Sequence, residues 1–361
     1  MKEKINSVLF VGFLFAFFIL SLIIPDTYIS SQERRKMAQA PSLSASSILN
    51  KSAMQQFNNY VQDQFPFRYT FKELDSYFKL DMLRKSDIDN MYIYDGYVIK
   101  QEYPLNLKSV EMYIAKVNEI CDKYCKNNKI YHTVVPDKNY YVNNGEHLKM
   151  DYGNLLNKVQ NEILDAKYID ITNELDLNCY YKTDIHWKQE SIFKVRNKIL
   201  KEMEMPEISS KYIIKEYSPF YGSYFGNFML STIQTDTIKY YTNDTIENSV
   251  TKNIERDGDY KIYDETRLQD DIDKYSLFLS GPTPLITIYN SKCSSNKELI
   301  MFRDSFASSL VPLIIEDYSK ITMVDIRYMS TDRAMKYIEN DGADILFIYS
   351  ATVINNSSIL K

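Results

Sequence analysis

LIMFRDSFASSLVPLIIEDY, residues 299–318, decides the fold. Leu299 to Phe302 form a short apolar β run, and a helical pattern takes over from Phe306 to Tyr318, with only Arg303, Asp304 and Ser305 between them. A strand handing over to a helix is the repeating unit of an α/β protein. The alternation recurs in both directions along the chain. KIYHTVV (129–135) reads as a strand ending at Pro136-Asp137-Lys138, and 168–172, 321–326 and 345–349 read as further strands. Helical spacing covers 110–124, 155–164, 191–204 and 332–339. Apolar runs joined by helices imply a parallel sheet covered on both faces. One α/β domain over 46–361 is therefore expected, with 206–290, polar and without clear periodicity, as an irregular insertion.

The amino terminus has its own signal. Val8 to Ile24 is a run of seventeen uncharged residues; at about 1.5 Å per residue it spans roughly 25 Å, the short end for crossing a bilayer. A cleaved signal peptide is the competing reading, but Ala38-Gln39-Ala40, the nearest small-x-small site, lies too far downstream. Lys2 and Lys4 on one side and Arg34, Arg35 and Lys36 on the other leave the charge rule near neutral. The expected layout is a cytoplasmic tail (1–7), a single-pass cell-membrane anchor (8–24), a polar stalk (25–45) and an extracytoplasmic domain. Just beyond the stalk, Ile48, Leu49, Met54, Phe57, Tyr60 and Val61 recur at helical spacing and read as a core-facing stripe.

Composition excludes several classes. Lys and Arg total 43 against 48 Asp and Glu, a net charge of −5, so no basic field draws nucleic acid. With 9 Gly the chain has no glycine-rich phosphate loop. The 3 His show no metal-ligand spacing and the 4 Cys no C-x-x-C pair, so neither metal nor cofactor is called for. Cys121 and Cys125, one turn apart on a helix, read as free core thiols because a disulfide there is geometrically awkward.

Three short motifs carry chemistry, each with a plain alternative. In Thr183-Asp184-Ile185-His186-Trp187 the carboxylate two residues before the imidazole suits an extended segment in which one orients the other; a chance surface pair is the alternative. Ser305 follows a strand and precedes a helix, at the sheet edge where α/β sites lie and beside backbone N–H groups able to receive an oxyanion. Helix capping by Asp304 or Ser305 explains the same residues. Pro136-Asp137-Lys138 closes another strand, or is a simple turn. His132 reads as a packed strand residue and His147 as a solvated loop residue.

In the order PDK, T-D-x-H-W and D-S-F the chain resembles the SGNH-hydrolase-like domains of the alginate O-acetyltransferase type, and more closely the DHHW proteins. The resemblance extends over the anchor, over ERRKMAQAPSLS and over the closing ADILFIYSATVINNS. It implies a flavodoxin-like three-layer sheet of permuted order, with Ser305 as nucleophile, His186 as general base and Asp184 as its orienting acid. It further implies O-acetyl transfer to a cell-envelope or secreted polysaccharide, with a multi-spanning membrane O-acyltransferase relaying the acyl donor. Two positions depart from the pattern: Ile185 stands where the name has a second His, and Arg303 where G-D-S has Gly. Asp137, Lys138, Arg303 and Trp187 are further substrate or oxyanion candidates, and Gly226-Asn227 a candidate donor pair. A polysaccharide esterase, with water as acceptor, and a non-catalytic polysaccharide-binding scaffold remain alternatives.

Overall fold

The computed structural model describes residues 2–143, 145–206, 210–270 and 272–361, the side chains of residues 2, 3 and 270 excepted. Met1 of the expected tail and residues 207–209 and 271 of the expected insertion lie outside the described residues.

The core is an eight-stranded sheet. Its strands in chain order are β1 (Ile130–Val135), β2 (Lys167–Tyr168), β3 (Val250–Asn253), β4 (Arg256–Tyr260), β5 (Leu285–Tyr289), β6 (Glu298–Arg303), β7 (Lys320–Val324) and β8 (Asp344–Ser350). Across the sheet they lie β4-β3-β5-β7-β6-β8-β1-β2. The five strands from β7 to β2 run parallel, and β5, β3 and β4 extend the sheet antiparallel.

Four helices concern the core: α2 (Leu107–Tyr124), α3 (Tyr152–Glu162), α4 (Phe193–Glu202) and α5 (Ala307–Ile314); α1 is the amino-terminal helix, Lys2–Ile23. The period of two along β6 and β8 sorts their side chains between two cores. Ile300, Phe302, Ile345 and Phe347 pack with Val110 and Val117 of α2 and Leu155 and Val159 of α3. Leu299, Met301, Leu346 and Ile348 pack with Val195 and Ile199 of α4 and Leu310 and Leu313 of α5. Both faces are therefore dry, as expected for parallel strands. The α/β three-layer expectation is borne out.

Two expectations need correction. The 206–290 stretch is not an irregular insertion: it supplies β3, β4 and β5 and a separate antiparallel ribbon, Ile213–Phe220 with Asp236–Thr242. The ribbon strand Asp236–Thr242 hid because only alternate residues are buried, and β3 and β4 because they are polar and little buried. The 48–61 stripe is not core either: Leu49 is 84%, Met54 64% and Phe57 50% exposed.

α1 is longer than the apolar run, 22 residues or about 33 Å, and its apolar side chains face outward. It qualifies by length and composition as a membrane span or a signal sequence. The segment read as a stalk is built into the domain, with a short hairpin, Ile29–Ser30 with Arg35–Lys36, fastened by Glu33 to Arg35 and Arg68. All four cysteines are free thiols, and Cys121 and Cys125 are buried. His132 is buried in β1. His147, expected to be solvated, lies flat on the Tyr92 ring with centroids 3.5 Å apart.

Candidate active site

Ser305 follows β6 at the carboxyl edge of the parallel strands, where open α/β sheets place their sites. Its neighbour resolves the capping question. Asp304 Oδ1 accepts from the Phe306 amide at 3.0 Å, and Oδ2 from the Ser350 amide at 2.7 Å, tying the ends of β6 and β8 together. Asp304 thus secures the turn, and the Ser305 hydroxyl goes elsewhere. It lies 2.8 Å from His186 Nε2, half-buried.

His186 comes from a narrow loop closed by the Tyr180–Trp187 bridge and a Tyr181 amide bond to its own carbonyl at 3.1 Å. Its Nδ1 is 2.6 Å from Asp184 Oδ1. An ionised carboxylate only accepts, so Nδ1 carries the hydrogen and neutral Nε2 is left to accept from Ser305. The ring stacks on Tyr275 with centroids 3.8 Å apart and planes 4° apart. Two residues set Asp and His side by side because Asp184 also accepts from the His186 amide at 3.1 Å, an Asx turn.

Asp184 is fully buried and gathers donors from distant parts of the chain. Arg34, at the hairpin tip with φ 51°, donates from one guanidinium nitrogen to Asp184 Oδ2 at 2.8 Å and pairs with Asp273 through the other. The Ser223 amide donates to the same Oδ2 at 2.7 Å. Burial opposes ionisation of Asp184, but His186, then Arg34 and the Ser223 amide, hold its carboxyl well below the usual range. Asp236 orients the loop from behind, accepting from the Lys182 and Thr183 amides, both at 2.7 Å.

Gly222 lets the 222–223 backbone approach. A Cβ there would stand 2.3 Å from the Thr183 carbonyl and 2.4 Å from the Asp184 nitrogen. We expect Gly222→Ala to lower stability by about 2 kcal/mol and to cut activity as the Ser223–Asp184 bond is levered apart. Thermal melts beside initial rates check both effects.

Other sequence candidates have a different placement. Trp187 and Arg303, expected among the substrate or oxyanion contacts, are enclosed in the protein. Trp187 Nε1 donates to the Phe306 carbonyl at 3.0 Å and to Ser309 Oγ at 2.9 Å, holding the start of α5 against the His186 loop. Arg303 turns inward to Asp325 at 3.7 Å. Gly226 packs on Gln32 and Glu33, and the Asn227 backbone N–H donates to the Tyr224 carbonyl at 3.2 Å. Ile185, in the variant second-His position, packs against both the main core and the small cluster around Phe228, where an apolar side chain is at home.

Asp137 and Lys138 are buried beside this loop. Asp137 accepts from Tyr152 Oη at 2.7 Å and the Asn139 amide at 2.8 Å. Lys138 Nζ donates to the carbonyls of Tyr181 and Lys182 at 3.1 and 3.2 Å and so braces the strand into Asp184. Burial pushes the Lys138 ammonium down from 10.5 to about 7 and the Asp137 carboxyl up from 3.8 to about 6. Between pH 7 and 10.5 the unfolded chain then holds more protons at Lys138 than the folded one, so this residue makes stability rise with pH there. Between pH 3.8 and 6 Asp137 does the reverse. Urea melts of wild type and Lys138→Met from pH 6 to 10 should show the upward slope reduced in the variant.

A DHHW family protein from Eubacterium siraeum superposes with a TM-score of 0.60 over 74% of this chain and 92% of its own, at 21% identity. The chain carries the DHHW-protein fold. Bacillus cereus PatB1 superposes on this chain with a TM-score of 0.59, over 73% of this chain and 96% of its own, at 18% identity. PatB1 with a sulfonyl adduct gives 0.56 at 17% identity, over 73% and 97% of the two chains. No family model matches the chain, and no curated protein matches it in sequence.

Within this DHHW fold, sequence reasoning missed Arg34, Gly222, Ser223, Asp273 and Tyr275. The resemblance running through ERRKMAQAPSLS was the one hint that the segment carrying Arg34 had a role beyond spacing.

Proposed function

We propose that this chain is a serine-dependent O-acyltransferase, acting outside the cytoplasm on a cell-envelope or secreted polysaccharide. The observation carrying the reading is the continuous contact from Ser305 Oγ to His186 Nε2 at 2.8 Å and from His186 Nδ1 to Asp184 at 2.6 Å. In this reading His186 takes the Ser305 proton as the hydroxyl attacks an acyl ester, and the acyl group becomes bound to Ser305. The donor alcohol leaves with the proton from His186. A sugar hydroxyl, deprotonated in turn by His186, then carries the acyl group away. Asp184, kept anionic by Arg34 and the Ser223 amide, stabilises the imidazolium at each proton transfer. The acyl donor would be relayed by a multi-spanning membrane O-acyltransferase, because activated acetyl groups are made in the cytoplasm.

The test combines a chromogenic acetyl ester, an oligosaccharide acceptor and a sulfonyl fluoride. Ester cleavage by the full-length protein in detergent is expected, with acetylated sugar formed when the acceptor is present. Sulfonyl fluoride should label Ser305 and stop both reactions. Cleavage without acetylated sugar for any acceptor tried makes the chain an esterase. Absence of both cleavage and Ser305 labelling overturns the catalytic reading in favour of a scaffold.

A further inference from the structure

We propose that residues 43–83 form a bilayer-docking face, continuous with α1, that seats the Ser305 site at the membrane surface; this rests on reading α1 as a membrane anchor.

Two helices carry the face, Ser52–Asp63 and Arg68–Tyr77, the second continued by a turn over Phe78–Met82. In the first, Met54, Phe57 and Val61 lie three and four residues apart, on one side. In the second, Phe71, Leu74 and Phe78 repeat the spacing. All six are exposed, and Ile48, Leu49, Met82 and Leu83 widen the surface at its ends. Beside the first helix lies an open groove of about 920 Å³, lined by Pro41, Leu43, Ile48 and Met54 among others and not by Ser305. Apolar patches of this extent on a soluble surface mark an interaction site.

These helices are not loosely packed. Their inner sides are already satisfied. Tyr69, Tyr77 and Leu80 pack on the cluster of Phe225, Phe228 and Met229. Ser76 Oγ donates to the Phe228 carbonyl at 2.6 Å, and Asp63 accepts from Arg35 and the Ala38 amide. Ser76 and Asp63 turn inward and are paired, while the apolar row turns outward alongside exposed polar residues such as Gln56, Asn59 and Asp75. Rigid seating with the greasy side out suits a helix lying in a membrane interface, its apolar face sunk about 5–10 Å.

The occupant follows from continuity with α1. Phe17, near the carboxyl end of α1, stacks on Phe65 with centroids 5.4 Å apart and touches Phe71 at 5.9 Å and Phe67 at 6.4 Å. The row of rings therefore runs unbroken from the spanning helix onto the docking face. Lipid around the end of α1 is lipid against Phe65 and Phe71. Ten residue-to-residue steps lead from Ile24 to Arg34, a reach of at most about 35 Å, and Arg34 holds Asp184 at 2.8 Å. Anchor, docking face and Ser305 site are joined through a short, fastened segment, so an acyl group delivered at the membrane surface meets Ser305 nearby.

Full-length protein in phosphatidylcholine–phosphatidylglycerol vesicles, photolabelled with a carbene probe confined to the hydrocarbon, tests this by peptide mapping. Labelling is expected in 2–23 and across 48–82, several-fold above the water-facing helix Tyr152–Glu162. The double variant Phe57→Asp, Phe71→Asp should lose most label from 48–82 yet keep it in 2–23, with ester cleavage unchanged. Label confined to 2–23 in the wild type overturns the docking face while leaving the anchor intact. Protection of 48–82 accompanied by copy-to-copy crosslinks there assigns the face to self-association instead. No label in 2–23 removes the anchor, and the proposal with it. The wild-type pattern decides the matter even if the double variant fails to fold.

Discussion

Ser305→Ala should abolish turnover, with a fall in rate on the order of 10⁶-fold, while leaving the fold and the melting temperature nearly unchanged. The magnitude follows from losing a covalent route, since no other hydroxyl lies at 2.8 Å from His186 Nε2 among the described contacts. The small structural cost follows from the turn being held by Asp304, through the Phe306 and Ser350 amides, rather than by Ser305. His186→Ala should cost about as much, and the double variant no more than either, because the two side chains act as one unit. Burst-phase and steady-state rates on an acetyl ester, beside far-ultraviolet circular dichroism, check this. Equal rates in wild type and Ser305→Ala would remove Ser305 as nucleophile.

Asp184→Asn should lower turnover by about 10⁴-fold. The amide can offer N–H to Nδ1, which then takes the acceptor role and turns the proton-bearing nitrogen toward Ser305, where it cannot accept. Arg34 keeps an acceptor only if the new side-chain carbonyl oxygen faces it, which is the orientation that turns N–H toward His186. The loss should fall on kcat, with substrate KM little moved, because Asp184 is buried and its described partners are His186, Arg34 and two backbone amides. A variant that keeps wild-type kcat would show that the carboxylate is structural only. Tyr275 and Phe306, against the imidazole at 3.8 and 5.1 Å, hold the ring in either case.

Much of this was legible in the sequence, and the reasons differ by feature. The three-layer sheet followed from Leu299–Phe302 and Ile345–Tyr349, whose unbroken apolar character only a strand buried on both faces requires. Asp184 and His186 were readable because their contact is local, two residues apart. Ser305 was readable as a strand-end residue, although capping explained it equally until Asp304 was seen to do that work. β3 and β4 were not readable, because they are polar and little buried; β5 was missed although Leu285, Ile286 and Ile288 are apolar and buried.

Sequence by itself therefore determined the parallel part of the sheet, the anchor-like helix and the residue types of the candidate site. Only the tertiary structure brought Arg34 across 150 positions of chain to Asp184, fitted Gly222 against Thr183 and laid Tyr275 on His186, since such contacts depend on how distant segments pack. It also decided where the 48–61 stripe points. Helical periodicity fixes which residues share a face and that water is poor company for it. Whether that face meets protein or lipid depends on what the rest of the chain has already covered.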